Sequence, residues 1–330
     1  AQNSWDGTSV DTLSGISNAI GSAFNDTLYG TTGANVLDGG AGGSDSINGV
    51  GGGGDTVSYA SNPYGVTINL NAQNSWDGTS VDTFTVIQNA IGSAFDDILY
   101  GTTGANVLDG GPGGSDSIVG VGGSDTVSYA SNPYGVTINL NAQNSWDGHN
   151  VDTFTAIQNA TGSAYDDTIY GGAGVNVLDG GAGGSDTIVG VGAADTVSYA
   201  SNLYGVTVNL NAQNSWDGHN VDTFSAIQNA IGSAFSDTIY GTTGANVLTG
   251  GAGGDTFAFS ANFGHDIVTD FMTAQLDKIM FYGVFANYAD LQAHESQSGS
   301  DLLITDNGGD VLTLSNLTAA SLSSSDFMFA

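Results

Sequence analysis

IGSAFDDILYGTTGANVLDGGPGGSDSIVGVGGSDTV, residues 91–127, decides how this chain folds. It is a series of glycine-rich turns, each ending in Asp or Asn, a small residue and an aliphatic one. Glycine supplies the positive φ that tight turns need, and the lone aliphatic residue marks a short strand with one buried position. Two such nonapeptides make a rung of about 18 residues, and rungs stack at the inter-strand spacing of about 4.8 Å. Side chains 18 or 19 positions apart therefore lie one above another.

Working outward, the stretch sits inside a longer repeat. The opening AQNSWDG at Ala1 returns at Ala72, Ala142 and Ala212. This gives repeats 1–71, 72–141 and 142–211, a partial fourth at 212–257, and a non-repeating tail at 258–330, read as one continuous solenoid. The other half of each repeat, TVSYASNPYGVTINLN followed by AQNSWDGTSVDTFTVIQNA, lacks the glycine beat. There Val66, Ile68 and Leu70 alternate with Thr67 and Asn69, which predicts two further rungs with looser turns at SNPYG and WDG. The fold class expected from the repeats is all-β, a β-solenoid of stacked rungs with a C-terminal β cap.

The net charge is −32, from 32 Asp, the single Glu295 and one cationic side chain, Lys278, apart from four His. Nucleic acid and anionic membranes are excluded as natural partners, because both demand Lys and Arg. Such charge usually signals disorder, yet 40% of the residues are hydrophobic and recur at fixed places. The chain is built to fold once a cation neutralises its aspartates. Asp in preference to Glu puts a short carboxylate in a tight turn beside backbone carbonyls, a hard oxygen set suited to Ca²⁺. Cysteine is absent, which removes disulfides and thiolate sites. No apolar run reaches the length of a membrane span, so no membrane insertion is expected. The start at Ala1, within the repeat and without Met, suggests cleavage or a piece of a longer array.

The segment GGAGGDTF, residues 250–257, matches G-G-x-G-x-D-x-U without a gap. Here the chain resembles the repeats-in-toxin (RTX, haemolysin-type) proteins, which implies a parallel β-roll with Ca²⁺ between successive turns. The resemblance makes the Asp at the sixth turn position a ligand, with glycine carbonyls completing the shell. It selects Asp26, Asp45 and Asp55; Asp97, Asp116 and Asp125; Asp167, Asp186 and Asp195; and Asp237 and Asp255 with Gly250, Gly251 and Gly253. Spacing adds that Asp26/Asp45, Asp97/Asp116, Asp167/Asp186 and Asp237/Asp255 stack on one edge. On the other edge Asn35, Asn106 and Asn176 face Asp55, Asp125 and Asp195. The Asp/Asp edge is expected to bind Ca²⁺ more tightly, which two affinity classes in a calcium titration would show.

Some turns depart from the pattern. GGAGGSDSI carries an extra residue, so the turns ending at Asp45, Asp116 and Asp186 must bulge. Phe24, Phe95, Tyr165 and Phe235 stand where a glycine is wanted, so those turns must be rebuilt. Asp38, Asp109 and Asp179 are read as plain turn residues. Trp5, Trp76, Trp146 and Trp216 recur once per repeat, read first as plugs for their own loops and second as a ladder for glycans or lateral contacts. His149 and His219 are read as surface variation. No H-E-x-x-H, G-x-S-x-G or P-loop occurs, so no enzyme activity is expected.

The tail, with Asp266 to Phe271 and a later Asp277-Lys-Ile, resembles the closing segment of RTX exports. Leu302–Ile304 and Val311–Leu314 are expected to cap the roll. The ending Asp326 to Phe329 resembles a type I secretion signal, implying that export machinery as a partner and an extracellular or cell-surface location. Three readings follow: a structural component of an extracellular filament, surface layer or matrix; the calcium-binding export portion of a larger secreted enzyme or toxin; or an ice- or glycan-binding solenoid. Self-association through an open N-terminal rung is a further expectation.

Overall fold

A computed structural model describes residues 2–5, 10–13, 15–192 and 194–330, with side chains from Gly15 onward. The N-terminal rung proposed for self-association falls largely outside the described side chains. Short strands dominate, and each buries its central aliphatic residue: Leu28 in Thr27–Tyr29, Leu37 in Val36–Asp38, Ile47 in Ser46–Asn48 and Val57 in Thr56–Ser58. A strand this short has one inward side chain, so the core must come from stacking rungs rather than from any one rung.

The chain divides into two compact units, Ala1–Asn132 with Gln143–Ile157, and Pro133–Ala142 with Gln158–Ala330. In the first, one parallel sheet runs Ala19–Ile20, Val36–Asp38, Thr56–Ser58, Asn89–Ile91, Val107–Asp109 and Thr126–Ser128. Its register stacks Leu37, Val57, Ala90, Leu108 and Val127 in one column. Successive strands of the glycine-rich stretches alternate between this sheet and a second, in which Leu28 pairs with Ile47 and Leu99 with Ile118. That is a parallel β-roll. The second unit repeats the pattern, with Leu178, Val197 and Ala230 in one column and Ile169, Ile188 and Phe224 in the other.

The glycine-poor half departs from the expected pair of plain rungs. Val66, Ile68 and Leu70 do point inward, but Asn74–Trp76 runs antiparallel to both Thr67–Asn69 and Val81–Thr85. Val81–Thr85 then lies parallel beside Ser46–Asn48. The WDG turn causes the reversal. One Asp77 carboxylate oxygen accepts from the N–H groups of Thr79 and Ser80 at 2.8 and 2.6 Å, and Gly78 adopts φ 92°, closing a hairpin where a rung would have to bend outward. Partial burial alone would raise the Asp77 carboxyl, but those hydrogen bonds together with the ones from the Thr79 and Ser80 hydroxyls hold it below its ordinary range. Each repeat is thus a roll interrupted on one sheet by a three-stranded meander, copied at Thr207–Asn209, Asn214–Trp216 and Val221–Ser225.

Within the second unit Thr256–Ser260, Lys278–Tyr282 and Phe327–Phe329 continue one sheet in parallel, and His265–Val268 pairs with Val311–Leu314 in the other. Asp301–Thr305 and Glu295–Ser298 follow antiparallel, so the expected capping strands are present. Phe259, Phe263 and Phe281, with ring centroids 5.6 to 6.1 Å apart, fill the end of the core. Among the described residues no helix is long and apolar enough to cross a membrane.

Candidate metal centres

The Asp26 N–H donates to Asp45 Oδ1 at 2.8 Å, and the same bond joins Asp97 to Asp116, Asp167 to Asp186 and Asp237 to Asp255 at 2.8 to 2.9 Å. On the other edge Asn35, Asn106 and Asn176 donate their N–H groups to Asp55, Asp125 and Asp195 at 2.9 to 3.0 Å. Each carboxylate therefore uses Oδ1 to receive the neighbouring rung and keeps Oδ2 for another partner.

What Oδ2 meets differs from turn to turn. In the rebuilt turns, Asp97 Oδ2 accepts from the Ser93 N–H and hydroxyl at 2.6 and 3.2 Å, and Ser22, Ser163 and Ser233 serve Asp26, Asp167 and Asp237 in the same way. Asp195 Oδ2 accepts from Val191 and Gly192 N–H at 3.0 and 3.1 Å. Asp55 Oδ2 and Asp255 Oδ2 are buried without a hydrogen-bond partner. Both face glycine cradles. A Cβ on Gly49 would lie 2.5 Å from Asp55 Oδ2 and also strike the Val86 carbonyl oxygen, and one on Gly250 would overlap Asp255 Oδ2. An orphaned carboxylate oxygen close to a backbone carbonyl fits Ca²⁺, a hard cation that takes such oxygens. No three acidic or histidine side chains converge on one point among the described residues. A shell there would have to combine one or two carboxylates with backbone carbonyls.

The Asn edge works differently. Asn106 Oδ1 accepts from the Thr102 N–H at 2.6 Å while its Nδ2 donates to the Gln88 carbonyl at 2.6 Å. The amide N–H₂ links two turns through hydrogen bonds, needing no charge to do so. Asn35, Asn176 and Asn246 repeat the link to Ser17, Gln158 and Gln228 carbonyls.

The column extends further than the nonapeptides. Asp45, Asp116 and Asp186 donate their own N–H groups to Asp82, Asp152 and Asp222, and Asp255 donates to Asp277, all at 2.8 to 2.9 Å. Gln88 and Gln228 receive the Asp55 and Asp195 N–H groups at 2.9 and 3.0 Å. Asp82, Asp152, Asp222, Gln88 and Gln228 come from VDTF and IQNA in the glycine-poor half, and Asp277 from the tail. For Asp82, Asp152 and Asp222 the signal is an offset of 36 or 37 residues, two rungs, from the turn aspartates, and for Gln88 and Gln228 an offset of 33. Burial pushes the Asp116 carboxyl up to about 9, with the charges of Asp152 and Asp97 adding to it, and Asp186 also reaches about 9. Burial is also the first cause that raises Asp255 to about 7 and Asp45, Asp97 and Asp167 to about 6.

Other residues take structural places. Asp109 holds the Ser128 and Ser131 hydroxyls, and Asp179 holds those of Ser198 and Ser201, as turn residues would. Asp152 Oδ2 accepts from Tyr129 Oη at 2.7 Å and from Ser145 Oγ at 2.9 Å, which locks the meander to the roll. Tyr129→Phe is expected to lower stability by about 1–2 kcal/mol by chemical denaturation, since it strips a buried carboxylate of a donor. The tryptophans do not plug their loops: Trp76, Trp146 and Trp216 are 57%, 57% and 56% exposed, because Asn74–Trp76 and its copies turn their ends outward. An open recess of about 230 Å³ beside Trp76 is lined by Gly65, Thr67, Asp77, Asp96 and Ile98. His219 stacks on Tyr204 at 4.3 Å between centroids.

Stacked rungs whose edges present Asp oxygens and glycine turns define a calcium-binding β-roll. Four stretches, residues 20–57, 91–127, 158–184 and 231–268, match the model of the RTX calcium-binding nonapeptide repeat, so the chain carries RTX calcium-binding repeats. No curated protein matches it. Among solved structures the extracellular lipase LipA from Serratia marcescens aligns at 17% identity and a TM-score of 0.25, over 97% of this chain and 41% of that one. The chain thus spans about two-fifths of the length of that lipase, and a likeness of this size carries no argument about function.

Proposed function

We propose that this is a secreted calcium-dependent solenoid that serves as a structural component of an extracellular filament, surface layer or matrix. In the low calcium of a cytoplasm its stacked carboxylates repel, which suits passage of an unfolded chain through type I secretion machinery; the calcium-rich medium outside folds it. The observation that carries the structural role is repetition of one exposed side chain. Trp76, Trp146 and Trp216 stand at the same place in successive repeats and are exposed to the same extent, 56% to 57%. Half-exposed aromatic side chains recurring along a solenoid suit lateral packing of like against like. The role proposed is mechanical rather than enzymatic. The second reading, an export portion of a larger secreted enzyme or toxin, is favoured by the four stretches that match the RTX calcium-binding nonapeptide repeat. Negative-stain microscopy of the purified chain separates the two. Lateral or end-to-end assemblies in calcium are expected, and isolated short rods at all concentrations would leave only the export reading.

A further inference from the structure

Two acidic side chains, Asp266 at the end of the last repeat stretch and Asp310 beyond it, each keep a carboxylate oxygen without a hydrogen-bond partner. Asp266 is fully buried in His265–Val268, and its Oδ2 has no hydrogen-bond partner. Its Oδ1 receives the Asn246 N–H at 2.8 Å, so the side chain is anchored with one oxygen aimed inward. Asp310, in the turn that opens Val311–Leu314, also has a buried Oδ2 with no partner.

The topology brings the two together. His265–Val268 and Val311–Leu314 pair in parallel with Asp266 opposite Leu312, and the Val311 N–H bonds to Gly264 at 2.8 Å. Asp310 therefore stands two residues before the partner of Asp266, on the same face of the sheet. Asp306 Oδ1 fixes that turn by accepting from the Gly308 and Asp310 N–H groups at 2.7 and 2.8 Å. The Asp310 charge acts on Asp266, whose carboxyl is raised chiefly by burial and further by that charge. A Cβ on Gly241 would lie 3.2 Å from Asn246 Oδ1 and 3.6 Å from Asp266 Oδ2, so a third oxygen borders the same space.

We propose that Asp266 and Asp310 together hold a Ca²⁺ ion that ties the last turn of the Asn edge to the C-terminal hairpin. The proposal rests on the reading of this chain as calcium-binding, and extends it to a carboxylate, Asp310, outside every nonapeptide. Two orphaned carboxylate oxygens on one face of the sheet repel each other unless a cation lies between them, and Ca²⁺ is a hard cation that takes such oxygens.

The test counts ions. After dialysis against trace calcium, bound calcium per chain is measured by atomic emission for the wild type and for Asp310→Asn, with circular dichroism confirming the fold. Loss of one ion per chain in Asp310→Asn is expected. An unchanged count would overturn the cap site while leaving calcium binding by the repeats intact; a wild type that binds no calcium would overturn both. Should Asp310→Asn fail to fold, anomalous scattering from wild-type crystals grown in calcium decides instead. A peak within about 2.3–2.6 Å of both carboxylates supports the site, and its absence refutes it.

Discussion

Chelation of calcium at neutral pH is expected to abolish most of the β-sheet circular dichroism of this chain, and calcium to restore it. The cause is the stack Asp97, Asp116 and Asp152 with its copies, in which Asp116 receives the N–H of Asp97 and Asp152 that of Asp116. With one Lys and no Arg to compensate a net charge of −32, only cations or protons can neutralise that column. The two agents give opposite pH dependences. Without calcium, folding raises the carboxyls of Asp116 and Asp186 from 3.8 to about 9, that of Asp255 to about 7 and those of Asp45, Asp97 and Asp167 to about 6. The folded state then binds more protons than the unfolded one. This contribution is fully present below about pH 4 and is lost as pH rises through the folded values toward 9. The chelated protein should therefore melt at a higher temperature at pH 5 than at pH 8. With calcium the order reverses, because the ligands must be deprotonated. Equal β content with and without chelator at pH 8 would refute this account of the fold.

Gly111→Ala is expected to cost about 2–4 kcal/mol of folding stability in saturating calcium. Gly111 adopts φ 105°, and a Cβ there would run into the Ser93 carbonyl oxygen of the adjacent turn. Neither strain can relax, since both atoms belong to backbone held by neighbouring rungs. Gly174→Ala is the control: no heavy atom lies within 4 Å of its Cβ, and its φ is not in the left-handed range. There the substitution is expected to be neutral or to stabilise by up to about 1 kcal/mol through the unfolded state. Denaturant midpoints that fell equally for the two variants would remove the claim that turn geometry, rather than glycine content, limits the roll.

The roll itself was legible because its grammar is local. One aliphatic residue per turn and aspartates at intervals of 18 or 19 predict both the parallel pairing and the Asp97 to Asp116 contact. What stayed hidden depends on where the chain reverses. The alternation at Val66, Ile68 and Leu70 marks a strand without giving its direction, and an Asx turn at Asp77 decides that Asn74–Trp76 runs backwards. Asp82 and Gln88 could not be placed until that reversal was known, so the third member of each edge went unseen. The outward Trp76 was misjudged for the same reason, since burial follows the face of a strand and not its composition.

The meander also sets how the chain can come apart. Thr67–Asn69 precedes Val81–Thr85 in sequence, yet Val81–Thr85 is the strand that covers Ser46–Asn48, with Asn74–Trp76 wedged between the two. A growing roll cannot add these strands in the order they emerge. It must leave a gap and fill it retrospectively, so a single rung is not a separable layer. Under mechanical tension the expected quantum of released contour length is the interval from Ala72 to Ala142, 142 − 72 = 70 residues, in place of the 18 or so of a simple roll. Interleaving of this kind would make the thread yield in a few large packets and hold between them.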